Sequence, residues 1–211
     1  DGRAFIPQAL SQGAAAVLVP ADTPDDAAPL IVKSGDVRRA YALAARAFYG
    51  AQPKTCVAVT GTNGKTSVAA FCRQIWTHLG HHAASMGTLG VMAGDEVLTG
   101  PGLTSPDAGD AARMLAELAG RGVTHLALEA SSHGLDQRRI DGVNLVAAGF
   151  TNLSQDHLDY HADMESYRAA KLRLFDTLTP TGATAVLNAD SDAYEAFAGA
   201  AVTAGQTVMS V

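Results

Sequence analysis

Apolar residues along this chain alternate between two rhythms, short unbroken runs and longer stretches in which they recur on one helical face. Residues 5–12 suit a short helix closed by Gly13, and residues 14–19 read as a buried strand stopped by Pro20. Residues 29–32 form a second apolar run. Ser34 or Asp36 can cap a helix over 37–49, whose Val37, Tyr41, Ala44, Ala45 and Phe48 fall on one face. Gly50, Ala51, Gln52 and Pro53 then break the pattern, so residues 1–52 are expected to be a small α/β unit and residues 53–211 a second domain.

The second region alternates more regularly. Runs at 57–59, 123–129, 143–150, 185–187 and 209–211 read as strands, residues 83–91 as extended chain, and residues 92–97 as a hairpin around Gly94-Asp95. Helical spacing covers 67–79, 164–178 and 191–198. A further helix begins at Ser105-Pro106-Asp107, with a capping hydroxyl, a proline in the first turn and an early acid, and runs to about residue 120. This alternation predicts an α/β fold, a mostly parallel sheet with helices on both faces.

Composition narrows the setting. The chain has 211 residues, 47% hydrophobic and 17% charged, which are globular values with enough apolar residues to bury a core. A net charge of −6 without basic runs argues against a nucleic-acid surface. Cys56 and Cys72 lie in a predicted strand and helix, which suits reduced, packed thiols. No stretch has the length of a membrane span, and the N-terminus lacks a signal-peptide layout, so a cytoplasmic protein is expected, most simply a monomer. The chain opens without Met inside apparent structure and stops in a strand, so a fragment is expected.

The chemistry gathers where predicted strands end. After Val57-Ala58-Val59 comes Gly61-Thr62-Asn63-Gly64-Lys65-Thr66 and then Ser67, at the mouth of a helix. Strand, glycine turn, Lys-Thr and helix make a phosphate cradle. Loop amides and the helix N-terminus supply partial positive charge, Lys65 a full one, and the Thr66 hydroxyl a magnesium ligand. The alternative is an ordinary strand-to-helix turn with a surface lysine. Glu129 closes a strand at the same sheet edge, as a magnesium ligand or a turn cap. The run 151–161 leaves another strand and carries Asp156, His157 and Asp159, which suit hard cations better than soft ones. His125 reads as a core histidine, while His78, His81 and His82 lack ligand spacing. Lys171 borders a helical stripe of Leu172, Phe175 and Leu178.

Three segments resemble the Mur ligases: Thr60 to Thr66, Glu129-Ala130-Ser131-Ser132-His133-Gly134-Leu135, and Thr151-Asn152-Leu153-Ser154-Gln155-Asp156-His157-Leu158-Asp159-Tyr160-His161. The phosphate loop is shared with folylpolyglutamate synthetases, whereas the Glu129 to Leu135 segment is particular to the branch that extends a UDP-N-acetylmuramoyl-dipeptide. The resemblance extends to residues 1–19, similar to the end of a UDP-binding N-terminal domain. It implies an ATP-dependent ligase that joins a diamino acid, meso-diaminopimelate in most bacteria or lysine in others, to the dipeptide through an acyl phosphate in peptidoglycan synthesis. It further implies that residues 61–67 hold ATP, that Thr66 and Glu129 serve one Mg2+, and that His157 and a carbamylated Lys171 serve a second. Thr104, Ser105, Ser131, Gln137 and Arg139 match positions that contact the UDP-linked substrate, and Leu103 stands where the family often has Asn. As a fragment, the chain alone is expected to be inactive. The alternatives are a folylpolyglutamate synthetase-like ligase and a nucleotide-binding module without ligase activity.

Overall fold

The computed structural model describes residues 2–102, 104–156 and 159–211. In the first unit, helix α1 (Ile6–Ser11) precedes strands β1 (Val17–Pro20) and β2 (Ile31–Ser34), which pair in parallel, and helix α2 (Val37–Tyr49) follows. The Asp36 carboxylate caps α2 by accepting from Arg39 N, settling the choice between Ser34 and Asp36. The expected apolar face of α2 is only partly right. Ala42 and Ala45 are buried, but Phe48 is 84% exposed, although α2 packs against a helix of the second unit, Ala108–Gly120.

The second unit contains β3 (Thr55–Thr60), α3 (Lys65–His78), β4 (Ala83–Gly87), β5 (Gly90–Ala93), β6 (Glu96–Thr99) and α4 (Ala108–Gly120). It continues through β7 (His125–Glu129), α5 (Ser132–Asp136), β8 (Leu145–Phe150), α6 (Met164–Arg173), β9 (Thr184–Leu187), α7 (Tyr194–Thr203) and β10 (Thr207–Ser210). Its strands lie in the order β10-β9-β8-β3-β7-β4-β5-β6; β10 to β4 pair in parallel, while β5 runs antiparallel to both of its neighbours, β4 and β6. The expected mostly parallel sheet is therefore present. Residues 83–91 are not one extended segment, however. Gly87 pairs with Gly90 across a tight turn, and Gly90 takes φ 90°, which a side chain would resist.

Alternation along β3 divides the core. Cys56 and Ala58 face a large cluster with Leu115, Leu126, Leu128, Phe150, Phe175 and Phe197. Val59 joins Ala69 and Ala127 under α3, with Val57 packed beside them. Helices thus cover both faces. Phe150 stacks on Phe197 at 3.7 Å between centroids, and Phe175 meets Phe197 edge-on at 5.4 Å, fixing α7 and the end of α6 against β8. After Arg173 the α6 helix widens into a π turn over Leu174–Leu178, leaving Leu174 and Phe175 fully buried. Burial pushes the Cys56 thiol up to about 12, so it is a packing group and not a nucleophile.

Charged groups join the two units. The Asp141 carboxylate is completely buried and accepts from Arg173 Nη2 at 2.9 Å, with Arg39 of α2 at 3.9 Å. Gln52, in the break between units, donates to Gly142 O at 2.8 Å and accepts from Asn144 N at 3.0 Å. Truncating Arg173 would strand the Asp141 charge without its principal partner. Arg173→Ala should therefore cost about 3–5 kcal/mol in denaturant unfolding. A loss below about 1 kcal/mol would show that the pair does not hold the fold.

Candidate active site

β3 is central, with β7 and β8 as its parallel neighbours, so the carboxyl ends of all three open on one edge. The glycine loop leaves β3 there. Gly61 takes φ 147° and Gly64 φ 87° at the N-cap of α3. A Cβ on Gly61 would run into the Thr151 hydroxyl and crowd the Asn152 backbone, so this approach requires glycine. The close contact is used. Thr62 N donates to Asn152 O at 2.8 Å, Asn63 N donates to the Asn152 side chain at 3.0 Å, and Thr151 Oγ1 donates to Asn63 O at 2.6 Å. Thr62 Oγ1 accepts from Ser154 N at 2.9 Å and lies 3.1 Å from the Tyr167 hydroxyl. The loop from β3 and the segment after β8 form one laced unit.

Two lysines converge on it. Lys65 Nζ donates to Gly61 O at 2.9 Å and to Thr62 O at 2.8 Å. Lys171 Nζ donates to the same Gly61 O at 2.8 Å and lies 4.4 Å above the Tyr167 ring. Lys171 is not at the border of its helix's apolar stripe, as the spacing predicted, but is 1% exposed within it, beside Tyr167, Ala170 and Leu174. Its pKa is lowered to about 7, first by burial and then by the Lys65 charge, with Asp156 opposing. Burial also lowers the pKa of Lys65, against the opposing charges of Glu129 and Asp156.

The acid predicted at the end of β7 is in place. Glu129 is 3% exposed, and its Oε2 accepts from Thr66 Oγ1 at 2.9 Å. Thr88 N donates to Oε1 at 2.9 Å, and Thr88 Oγ1 lies 3.3 Å from Oε2. Thr88 was missed in the sequence because residues 83–91 read as one strand. Its signal is the same strand-end rule that found Glu129, applied to β4. A Cβ on Gly87 would collide with the Glu129 carboxylate, so this glycine makes room for the acid.

From Thr88 a polar chain leads away from the loop. Thr88 Oγ1 is 3.0 Å from Thr104 Oγ1. Ser105 Oγ donates to Glu129 O at 3.2 Å and is 3.0 Å from Ser131 Oγ. Ser105 does not cap α4 as its sequence position suggested. Asp107 does, accepting from Gly109 N, and Ser105 is left for the site. Ser131 caps α5, accepting from Gly134 N at 3.0 Å. Arg139 Nη1 donates to Ser105 O at 2.8 Å, and its Nε and Nη2 grip Gln137 Oε1 at 3.1 and 2.7 Å. Gln137 Nε2 donates to Tyr160 OH at 3.0 Å, which donates to Asp136 Oδ2 at 2.7 Å. The structure thus brings Thr104, Ser105, Ser131, Gln137 and Arg139 into one cluster bordering Glu129.

Other expectations fall elsewhere. Ser67 is exposed in the first turn of α3, and Asn63 is exposed at the loop tip. His157 and Leu103 lie outside the described residues. His125 is not a core residue. It opens β7 at the opposite sheet edge, its ring tilted against that of His81 with 4.1 Å between centroids. Among the described residues no three His, Cys, Asp or Glu side chains gather into a metal cage, and no helix is long and apolar enough to cross a membrane. Thr66 and Glu129 instead offer a paired hydroxyl and carboxylate, hard oxygen donors of the kind that would suit a magnesium ion.

A phosphate loop at the edge of a parallel sheet, with an acid on the neighbouring strand and a polar cluster beyond it, defines a nucleotide-dependent enzyme domain. The chain belongs to the Mur ligase family: residues 59–211 match the Mur ligase middle domain. It is 68% identical to the UDP-N-acetylmuramoyl-L-alanyl-D-glutamate--2,6-diaminopimelate ligase of Caulobacter vibrioides, a match covering 100% of the chain and 44% of that protein. The Rhizobium meliloti ligase of the same name is 54% identical, over 100% of the chain and 43% of its own length. The chain therefore spans less than half the length of these curated relatives. A solved structure of a ligase with that name superposes with a TM-score of 0.84 at 31% identity, covering 99% of the chain and 42% of its own chain. A bifunctional folylpolyglutamate synthase/dihydrofolate synthase solved with Mn, AMPPNP and L-glutamate shares the fold, with a TM-score of 0.65 at 18% identity, over 83% of this chain and 47% of its own.

The Lys171 environment has a measurable consequence. An unfolded lysine titrates near 10.5 and the folded one near 7, so between these values the unfolded chain holds a proton that the folded chain lacks. Stability should rise with pH across that window and level off below about 7. In the unmodified protein, Lys171→Met should remove this slope from pH-dependent denaturation curves. An unchanged slope would show that Lys171 is not the titrating group.

Proposed function

We propose that this chain is the ATP-binding part of an amide ligase that joins a diamino acid, meso-diaminopimelate, to UDP-N-acetylmuramoyl-L-alanyl-D-glutamate in peptidoglycan synthesis. The observation that carries the reading is the convergence of Lys65 and Lys171 on Gly61 O, next to the Thr66–Glu129 pair. Lys65 brings an ammonium to the phosphate loop, and Lys171 brings beside it an amine that burial and the Lys65 charge make easy to deprotonate. The relatives at 68% and 54% identity, both diaminopimelate-adding ligases by name, point the same way.

Residues 61–67 would hold the ATP phosphates through loop amides and the α3 N-terminus, with Lys65 facing the β and γ phosphates. Thr66 and Glu129 would hold magnesium, which supplies charge neutralisation at the transferring phosphoryl group. His157 would contribute to a second ion. Thr104, Ser105, Ser131, Gln137 and Arg139 would seat the UDP-linked substrate, with residues 1–52 belonging to its uridine-side domain and residues 53–211 to the ATP domain. The substrate carboxylate attacks the γ phosphorus, the bond to the ADP oxygen breaks, and an acyl phosphate forms. The incoming amine then attacks the acyl carbon, loses a proton, and phosphate leaves as the amide forms. Lys65 screens the charge that builds up in the first step. The protein would act as a cytoplasmic monomer, with parts beyond this chain completing the site.

Lys171 belongs in this scheme as a carbamate. A neutral amine is needed to add CO2 with loss of one proton, and a pKa near 7 leaves much of the amine neutral at physiological pH. The product would be a buried carboxylate beside Lys65. Lys171→Ala in the full-length enzyme should abolish most turnover, with partial return on adding short carboxylates. Full activity in the variant would remove the residue from the scheme.

Two measurements test the rest. Lys65→Ala should weaken ATP binding roughly 10- to 100-fold in calorimetry, the value of one charge-assisted contact. Unchanged affinity would reject the loop assignment. Phosphate release by the full-length protein should require both the UDP-linked dipeptide and diaminopimelate, and turnover with folate and glutamate instead would place the protein among the folylpolyglutamate synthases.

A further inference from the structure

The turn after α5 contains the one non-glycine residue with positive φ among the described residues, Arg138 at 62°. The backbone around it is a helix stop with two characteristic bonds. Arg139 N donates to Gly134 O at 2.8 Å, and Arg138 N donates to Leu135 O at 3.2 Å. The left-handed position of such a stop is the one that glycine usually fills, because any Cβ there costs free energy. An arginine at this place needs a reason, and its side chain supplies one. Arg138 Nε donates to Asp36 Oδ2 at 2.8 Å, and Nη1 donates to Asp136 O at 2.9 Å. Asp36 is the N-cap of α2, so one carboxylate starts a helix of the first unit and grips the stop of a helix in the second.

The two residues flanking Arg138 are Gln137 and Arg139, which form the fork at the far end of the site. Together with Arg38 and Tyr41 of α2 and with Asp107 and Ala108, they line a notch of about 160 Å³ between the two units. Arg38 and Arg139 bring two guanidinium groups to it, against a single carboxylate, Asp107, that already bonds the Tyr41 hydroxyl at 3.1 Å and caps α4. We infer that Arg138 is a positioning residue: its ion pair with Asp36 holds the strained turn so that Gln137 and Arg139 face α2 and shape this notch for the anionic, UDP-linked substrate. The inference rests on the function proposed above for the same cluster.

Two substitutions separate the clamp from the caps it touches. Arg138→Gly keeps the left-handed stop and removes the guanidinium. Asp36→Asn keeps an oxygen for the α2 N-cap and removes the charge. In the full-length protein each should weaken binding of UDP-N-acetylmuramoyl-L-alanyl-D-glutamate roughly three- to tenfold while leaving ATP affinity within about twofold. The double variant should be no weaker than the worse single one, because both remove the same contact, and Arg138→Lys should recover part of the loss. Wild-type affinity for the UDP-linked dipeptide in both single variants would overturn the inference. So would an equal loss for ATP and dipeptide with a lowered melting temperature, which marks a merely structural role. Hydrogen exchange at the Arg138 and Arg139 amides needs no substrate, and it should accelerate in both single variants. Unchanged exchange overturns the clamp. Should the wild-type protein bind no UDP-linked dipeptide, the function proposed above fails, while exchange still decides whether the clamp orders the turn.

Discussion

The site depends on one close approach, the packing of Gly61 against Thr151 and Asn152. β3 and β8 are neighbours in the sheet, so the chains leaving them would collide if both carried a side chain at that point. A glycine on one side lets the other run directly beneath the loop and hydrogen-bond to it. This fixes where the Gly61 carbonyl points, and the two lysines meet on that carbonyl. Lys65 comes from the helix after the loop and Lys171 from a helix 110 residues beyond Gly61. Lys65 adds its charge where the α3 N-terminus already supplies some, and that charge, with burial, is what lowers the pKa of Lys171.

The counterweight comes from β7, on the other side of β3. Register places Val59 opposite Glu129 and Gly149, so the acid and the Thr151 segment emerge at the same height from either flank. Glu129 is nearly enclosed, yet Thr66 and Thr88 both donate to it. That solvation by hydroxyl and amide lets a carboxylate lie within reach of the lysines without collapsing onto them, because its oxygens are already engaged. Gly87 stands where any side chain would displace the acid. Cation, acid and loop are thus arranged by three adjacent strand ends.

Much of this was legible in the sequence. The glycine loop, the acid at the end of the 123–129 run and the alternation of strand and helix all follow local rules of spacing and turn chemistry, and each appears in the fold. The misses share a physical cause: local patterns carry no information about what packs from far away. Phe48 fits the apolar face of α2, yet it stays exposed while Ala42 and Ala45 take the buried side of the helix. Ser105 has the right spacing to cap a helix, but Ser131 and Glu129 O claim its hydroxyl across the sheet edge, and Asp107 takes over the cap. Lys171 reads as a residue at the border of an apolar stripe, because nothing nearby in sequence reveals the Gly61 carbonyl and Tyr167 ring that enclose it. Helix α5 is too short for periodicity to show.

The central claim is that a polyphosphate occupies the space between the loop amides, Lys65, Lys171 and the Thr66–Glu129 pair. The most direct measurement is a crystal structure of the protein with magnesium and a non-hydrolysable ATP analogue. The account predicts β and γ phosphate density against the amides of residues 61–67 and a cation bridging Thr66 and a γ oxygen, with Glu129 in its coordination sphere. Phosphates bound elsewhere on the sheet, or a loop left empty at saturating nucleotide, would contradict it.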